Sequence, residues 1–157
     1  MGQPDPRLRD YHCKAGFWTG IGYVPFWQGD LAIWFLTYGT EPTPRQVRIV
    51  QAVLDYPHDL REMFEHKVFD YYQNHIYGAI DFGSPEDDQE CAPQLAESGQ
   101  IWRLISGPEL WIKQVYLDEH VDAVEFTMAF GCTWDEEHGL GVRFRDWQIV
   151  RFGGAAS

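Results

Sequence analysis

Residues 43–54, with the sequence TPRQVRIVQAVL, decide how the middle of the chain must fold. Thr43 with Gln46 three positions later is typical of a capping box, in which each side chain bonds the other residue's backbone N–H. Pro44 takes the first helical position, where no N–H is needed. The apolar residues that follow at helical spacing are Val47, Val50 and Leu54. This segment is therefore predicted to be an amphipathic helix.

A second helix is predicted directly after the first. Pro57 ends the first helix because a proline cannot continue its hydrogen bonding, and it can open the next one. A stripe at spacings of three and four then runs towards Gly78, which is typical of a helix end. The members of the stripe are Leu60, Phe64, Val68, Tyr71 and His75.

The N-terminal side of this helical pair has the pattern of a β-hairpin. Residues 19–27 and 31–38 are rich in aromatic and β-branched side chains, and the Gly-containing segment 28–30 separates them. Such spacing predicts two antiparallel strands. Residues 1–16 are polar and contain prolines, so we expect a loose lead-in there.

The C-terminal third predicts a four-stranded antiparallel meander. Short polar or turn-forming links separate four apolar or alternating segments, at 110–117, 123–133, 139–145 and 148–152. The order of strands, helices, an acidic loop at 81–99 with a short helical turn, and strands again favours an α+β class. We expect one domain at residues 17–153, with the helical pair packed on one face of the sheet.

The composition excludes several classes of protein. Of the 157 residues, 45% are hydrophobic and 16% aromatic, which is incompatible with disorder. Twenty-four acidic and twelve basic residues leave a net charge of −12 at pH 7. Binding a phosphate backbone or an anionic membrane requires clustered Lys and Arg, so neither partner is expected. A protein partner with a basic surface fits this charge.

The cysteines and the longest apolar run favour a soluble cytoplasmic protein. Cys13, Cys91 and Cys132 cannot complete a set of disulfides, and we expect reduced thiols with Cys132 in the core. The longest apolar run is 31–36, far shorter than a membrane span. The first ten residues lack the apolar core of a secretory signal. Oligomeric state stays open.

The acidic residues concentrate in one part of the sequence. Between 81 and 125 there are eleven acidic residues and two basic ones. Such a concentration speeds association with a basic partner, although a solvated loop with no partner has the same pattern. The candidate partner-binding residues are Glu86, Asp87, Asp88, Glu90, Asp118, Glu119 and Asp122.

The segment 132–139, CTWDEEHG, has two interpretations. Asp135, Glu137 and His138 could form an acid–base or metal cluster in a small hydrolase or metal-dependent enzyme. Alternatively, the segment is a structural turn in which Trp134 closes a strand, Asp135 accepts backbone N–H groups and Gly139 supplies a permissive backbone. The common nucleophile, P-loop, dinucleotide and zinc-protease motifs are absent from the sequence. We therefore expect no catalytic residues, metal or cofactor.

The same segment carries a resemblance to a family. The pattern C-x-W-D-x-E-H-G, with the strand and turn after it, resembles a group of bacterial domains of unknown function that carry a C-terminal W-D-x-E-H-G signature. The Trp-rich hairpin, the T-P-x-Q helix start and the paired Tyr71 and Tyr72 are similar to that group as well. The resemblance covers about residues 17–153.

The resemblance also implies a function. Domains of this kind accompany bacterial contact-dependent toxins, so it implies an immunity protein with a cognate toxin as its partner. The group supplies no catalytic residues. Our leading hypothesis is a non-enzymatic acidic binding protein that occludes a basic toxin, with exposed aromatic side chains as anchors. A small enzyme using the Asp135, Glu137 and His138 cluster is the alternative, and a purely structural domain is a third.

Overall fold

The chain folds as a seven-stranded sheet with helices inserted between the third and fourth strands. The structure, a computed structural model, describes residues 3–114 and 122–155. The strands are β1 (Arg9–Lys14), β2 (Phe17–Val24), β3 (Gly29–Leu36), β4 (Ile105–Lys113), β5 (Glu125–Cys132), β6 (Leu140–Arg145) and β7 (Gln148–Gly153). The helices are α1 (Pro44–Asp55), α2 (Arg61–Tyr71) and α3 (Pro85–Cys91), with a π-helical turn at Tyr72–Ile76 and a 3-10 helix at Ser98–Arg103.

The sheet confirms the predicted α+β class in a single domain. Its spatial order is the sequence order, β1 to β7, and neighbouring strands are antiparallel except for β3 and β4. That pair is parallel because the helices carry the chain across one face of the sheet between the two strands. The meander of β4 to β7 matches the prediction, and residues 115–117 of its first predicted strand lie outside the described residues.

Helix α1 begins as its sequence predicts. The Gln46 backbone N–H donates to the Thr43 hydroxyl at 3.2 Å, and the Thr43 N–H donates to the Gln46 side chain at 2.9 Å. Gln46 is fully buried and also donates to the Ile112 carbonyl of β4 at 2.8 Å. The cap of α1 therefore also fixes the helix against the sheet.

The apolar stripe of α2 changes at its end. Of the predicted positions, Tyr71 is half-buried and packs against the core, whereas His75 is exposed. His75 lies within the π-helical turn, whose wider turn places Ile76 and not His75 on the buried side. The buried positions along α2 and this turn are Phe64, Val68, Tyr72 and Ile76.

The predicted lead-in contains a strand. Residues 9–14 form β1, which pairs with β2 at the edge of the sheet, so the expectation of a loose segment up to residue 16 is wrong. Five of its six side chains are exposed, so its sequence lacks the alternation that marks a strand. Backbone pairing holds it, with a register shift between Arg9 and His12.

Two other boundaries differ from the prediction. The β2–β3 hairpin turns at 25–28, about two residues earlier than expected, because Pro25 ends the strand and Gln28 takes a left-handed conformation with φ 58°. Strand β4 starts at Ile105 instead of residue 110, and Pro108 sits at a register shift between Ser106 and Glu109. A proline at a bulge leaves the ladder on either side intact.

The helices cover one face of the sheet, which we call the helix face. Its core is aromatic: the ring of Phe26 lies 5.5 Å from that of Phe126, and Phe126 lies 5.0 Å from Phe144. Gly22 lets α1 approach, since a Cβ there would lie 3.2 Å from a methyl group of Leu54. The opposite surface, here the second face, carries the alternate residues of each strand.

Candidate functional site

Helix α3 presents three of the predicted partner-binding acids to solvent. Glu86, Asp87 and Glu90 are all exposed. The helix starts because the Ser84 hydroxyl accepts the Asp87 backbone N–H at 3.1 Å and Pro85 follows the cap. Acidic side chains in the first turn also interact favourably with the helix dipole. The predicted helical turn within the acidic segment is thereby present.

Asp88 has a different role from its neighbours. Its carboxylate accepts the backbone N–H of Phe82 at 2.9 Å, and the residue is half-buried. This bond closes the loop before α3. Asp88 therefore holds the helix in place, while the three exposed acids on α3 are available to a partner.

The turn after β5 brings a further acid to α3. The Thr133 hydroxyl donates to the Cys91 carbonyl at 2.7 Å, which ties the end of α3 to that turn. Desolvation raises the pKa of the Cys91 thiol, and the nearby carboxylates of Glu90, Asp87, Glu136 and Asp88 raise it further. Acids from two distant segments thus influence one thiol. We call Glu86, Asp87, Glu90 and Glu136 the α3 surface.

An open groove of about 630 Å³ adjoins the α3 surface. Tyr77 and Ile80 line it and are large apolar side chains with 42% and 38% of their surface exposed. Pro85 and Gln89 of α3 form another wall. Two exposed apolar side chains and one side of α3 therefore share this groove, and the acids that line it are Asp81 and Asp88.

The three remaining candidate acids are not part of the α3 surface. Asp118 and Glu119 fall outside the described residues. Asp122 is exposed and precedes β5, where its carbonyl accepts from Arg48 of α1 at 3.4 Å. The α3 surface adjoins the other end of β5, roughly 25 Å away for an eight-residue strand. Asp122 therefore belongs to a different surface.

The segment 132–139 forms a tight turn with internal hydrogen bonds. The Asp135 carboxylate accepts the His138 backbone N–H at 3.1 Å, and the Nδ1 atom of the same histidine lies 3.1 Å from Oδ1. Gly139 donates to the Asp135 carbonyl at 2.8 Å. Gly139 has φ 67°, and a Cβ there would lie 2.4 Å from the Phe130 carbonyl oxygen, so only glycine fits.

The other residues of the turn divide between core and solvent. Trp134 is buried, and its ring lies 5.3 Å from that of Tyr72. Glu137 and His138 are exposed. Within residues 3–114 and 122–155, no group of three or more His, Cys, Asp or Glu side chains is placed to hold a metal ion.

The second face of the sheet contains a charged cluster that the sequence analysis missed. Glu125, one of the eleven acidic residues counted between 81 and 125, has no exposed surface. Its carboxylate oxygens lie 3.3 Å from Arg145 Nε and 3.9 Å from Arg143 Nε. On β4, desolvation lowers the pKa of Lys113, and Arg143 and Arg151 lower it further.

A pattern in the sequence does indicate this cluster. Charged or polar residues occupy alternate positions of two neighbouring strands, Glu125 and Thr127 in β5 and Arg143 and Arg145 in β6. In the observed register Glu125 pairs with Arg145, and Thr127 pairs with Arg143. The alternation in the sequence predicts that these residues lie on the same face of the sheet, but only the strand register shows which of them form ion pairs.

All three cysteines are free thiols, and Cys132 is buried as expected. Among the described residues, no helix combines the length and the apolar character that a membrane crossing requires.

A comparison with models of protein families identifies the family of the chain. Residues 8–157 match the model of a domain of unknown function, DUF6985. The chain belongs to this family. The matched range of the DUF6985 domain includes the seven strands from β1 to β7. It confirms the expectation of a domain of unknown function. No curated protein matches the chain, and no solved structure does.

Proposed function

We propose that this DUF6985 domain is a non-enzymatic binding protein that captures a basic protein through its α3 surface. In this proposal the partner is a toxin, and the domain acts as an immunity protein in the bacterial cytoplasm by occluding it. The observation that carries the proposal is the hydrogen bond from Thr133 to the Cys91 carbonyl, which ties the turn that contains Glu136 to the end of the acidic helix α3.

Charge and apolar contact have separate tasks in this mechanism. The α3 surface and the net charge of −12 attract a basic partner over a distance comparable to the Debye length and raise the association rate. Tyr77 and Ile80 in the adjoining groove supply apolar surface that becomes buried on contact, which slows dissociation. A toxin bound in this way is blocked sterically, with no chemical step.

The test is a matched pair of charge reversals. One variant combines Glu86→Lys, Asp87→Lys and Glu90→Lys, and it spares Asp88 because that carboxylate holds the loop before α3. The control combines Glu41→Lys, Glu62→Lys and Asp70→Lys, which are exposed acids on other parts of the surface. Both variants change the net charge by the same amount.

The readout is protection of cells that express the captured basic partner. We expect the wild-type protein and the control to restore growth and the α3 variant to fail, although both variants keep the melting temperature of the wild type within a few degrees. Equal protection by the two variants would contradict the role of the α3 surface. A captured partner that does not affect growth would contradict the immunity part alone.

The enzyme alternative rests on one contact. Asp135 holds the imidazole of His138 at 3.1 Å, as a carboxylate does when it orients a general base. A His138→Ala variant separates the two functions. The binding proposal predicts unchanged protection of cells, whereas the alternative predicts a hydrolytic activity that this variant loses while it remains folded.

A further inference from the structure

The second face of the sheet contains a cavity of about 620 Å³, on a different surface from the acidic groove. Its floor is the indole pair of Trp34 and Trp111, which are register partners on the parallel strands β3 and β4. Phe17 and Tyr38 form one wall, with ring centroids 5.4 Å apart in an edge-to-face arrangement.

The fold explains why these aromatic rings are not in the core. Trp34 and Trp111 alternate with Ile33, Leu110 and Ile112, which are fully buried on the helix face. Both tryptophans are half-buried, and Tyr38 has 74% of its surface exposed. Four aromatic side chains in one cavity offer stacking area to a planar molecule.

The charged groups around the cavity are distributed unevenly. Glu109 lines it on one side, and its carboxylate accepts the indole N–H of Trp111 at 3.1 Å. Lys113 lines the other side, two residues beyond Trp111 on the same strand and face. Desolvation lowers the pKa of Lys113, and Arg143 of β6 and Arg151 of β7 lower it further, while a carboxylate oxygen of Glu125 lies 3.9 Å from Arg143 Nε. The cationic side chain of the cavity lining, Lys113, and the anionic one, Glu109, therefore lie at opposite sides of the cavity.

We propose that this cavity binds a small planar aromatic anion, a molecule with a ring system and a carboxylate. The ring lies against Trp34 and Trp111, and the carboxylate points to the Lys113 side. The carboxylate forms a charge-assisted hydrogen bond with the Lys113 ammonium, and the aromatic rings of the cavity exclude water from the contact. Glu109 at the opposite side disfavours the reverse orientation.

The experiment compares three probes of one shape and different charge: 2-naphthoate, 2-naphthalenemethanol and 2-naphthylmethylammonium. Each is titrated to about 5 mM into the ¹⁵N-labelled full chain, a range that covers weak small-molecule sites. The indole N–H resonances of Trp34 and Trp111 report binding. We expect naphthoate to bind most tightly, with a preference of about tenfold over the ammonium probe.

Three variants test the site without relying on a core substitution. Tyr38→Ala removes a largely exposed wall, and we expect all three probes to bind several-fold more weakly. Tyr23→Ala is its control, because Tyr23 is an exposed tyrosine on β2 outside the cavity lining. Lys113→Met keeps most of the side-chain volume, so we expect the preference for naphthoate to disappear while the neutral alcohol still binds.

Several results overturn the proposal. These are equal affinity of the wild-type protein for the three probes, no shift of either indole resonance, or an equal effect of Tyr38→Ala and Tyr23→Ala. If the Lys113→Met variant does not fold, the comparison of Tyr38→Ala with Tyr23→Ala tests the proposal. The site shares no residue with the α3 surface, so partner binding is expected to survive Tyr38→Ala, and the two proposals can fail separately.

Discussion

The two faces of the sheet meet different demands with side chains from the same strands. On the helix face, Phe126 and Phe144 pack into an aromatic core with Phe26. On the second face, the neighbouring positions Glu125 and Arg145 form a buried ion pair, and Trp34 and Trp111 line an open cavity. Burying an apolar side chain stabilises the folded state at any position, whereas a buried charge destabilises the folded state unless a group of opposite charge is next to it. The helix face therefore depends on apolar burial, whereas the second face also depends on the pairing of charges.

Phe126→Ala tests the helix face and has the largest expected effect. Phe126 is fully buried between two other phenylalanines, so its truncation leaves a cavity and lowers the free energy of unfolding by about 3–5 kcal/mol. Chemical denaturation measures this loss. Val150→Ala, an exposed apolar truncation on β7, is the control and is expected to change stability by less than about 0.5 kcal/mol. Similar losses for the two variants contradict an aromatic core on this face.

Glu125→Ala tests the second face one position earlier on the same strand. The substitution leaves the buried Arg143 and the partly buried Arg145 without this carboxylate, so the free energy of unfolding decreases by about 3 kcal/mol. Denaturation curves for the single and double variants with Arg145→Ala give the coupling between the two residues. Glu62→Ala, an exposed acid on α2, is expected to cost less than about 0.5 kcal/mol. A coupling of zero contradicts the ion pair.

Arg151→Gln has the smallest expected effect on stability, and it tests the charges of the second face. Removing this cation raises the pKa of Lys113, which stays below 10.5 because desolvation, the larger cause of the lowering, remains. The Nζ resonance of Lys113 followed against pH measures the change. An unchanged or lower pKa is the contrary result.

The sign of the pH effect follows from the direction of this shift. Between the lowered pKa of Lys113 in the folded protein and its ordinary value, the unfolded chain binds more protons. Stability therefore rises with pH in that window, and the contribution is smaller in Arg151→Gln.

Local patterns predict the helix face well. The capping box at Thr43, the apolar stripe as far as Val68 and the four C-terminal strands depend on neighbours in sequence, and all are present in the structure. The π-helical turn at Tyr72–Ile76 escaped prediction because its sequence has no distinguishing spacing. Strand β1 escaped because backbone pairing, and not an apolar pattern, holds it at the edge.

The candidate sites depend on contacts that sequence reasoning could not supply. The acids of α3 were predicted, but the approach of Glu136 requires the Thr133–Cys91 hydrogen bond between segments 42 residues apart. The separation of Asp122 from α3 follows from the length of β5. The cavity on the second face needs the parallel register of Trp34 and Trp111, which depends on the whole helical crossover.

The measurement that tests the central claim most directly is the association rate constant with the captured basic partner, determined by stopped flow at several ionic strengths. The proposal predicts a fast rate for the wild-type protein that falls steeply with salt. It predicts a rate for the Glu86→Lys, Asp87→Lys and Glu90→Lys variant that is at least about tenfold lower at low salt and nearly independent of salt. The control with Glu41→Lys, Glu62→Lys and Asp70→Lys should keep most of the wild-type rate and its salt dependence. Equal rates and equal salt dependence in the two variants would contradict steering by the α3 surface.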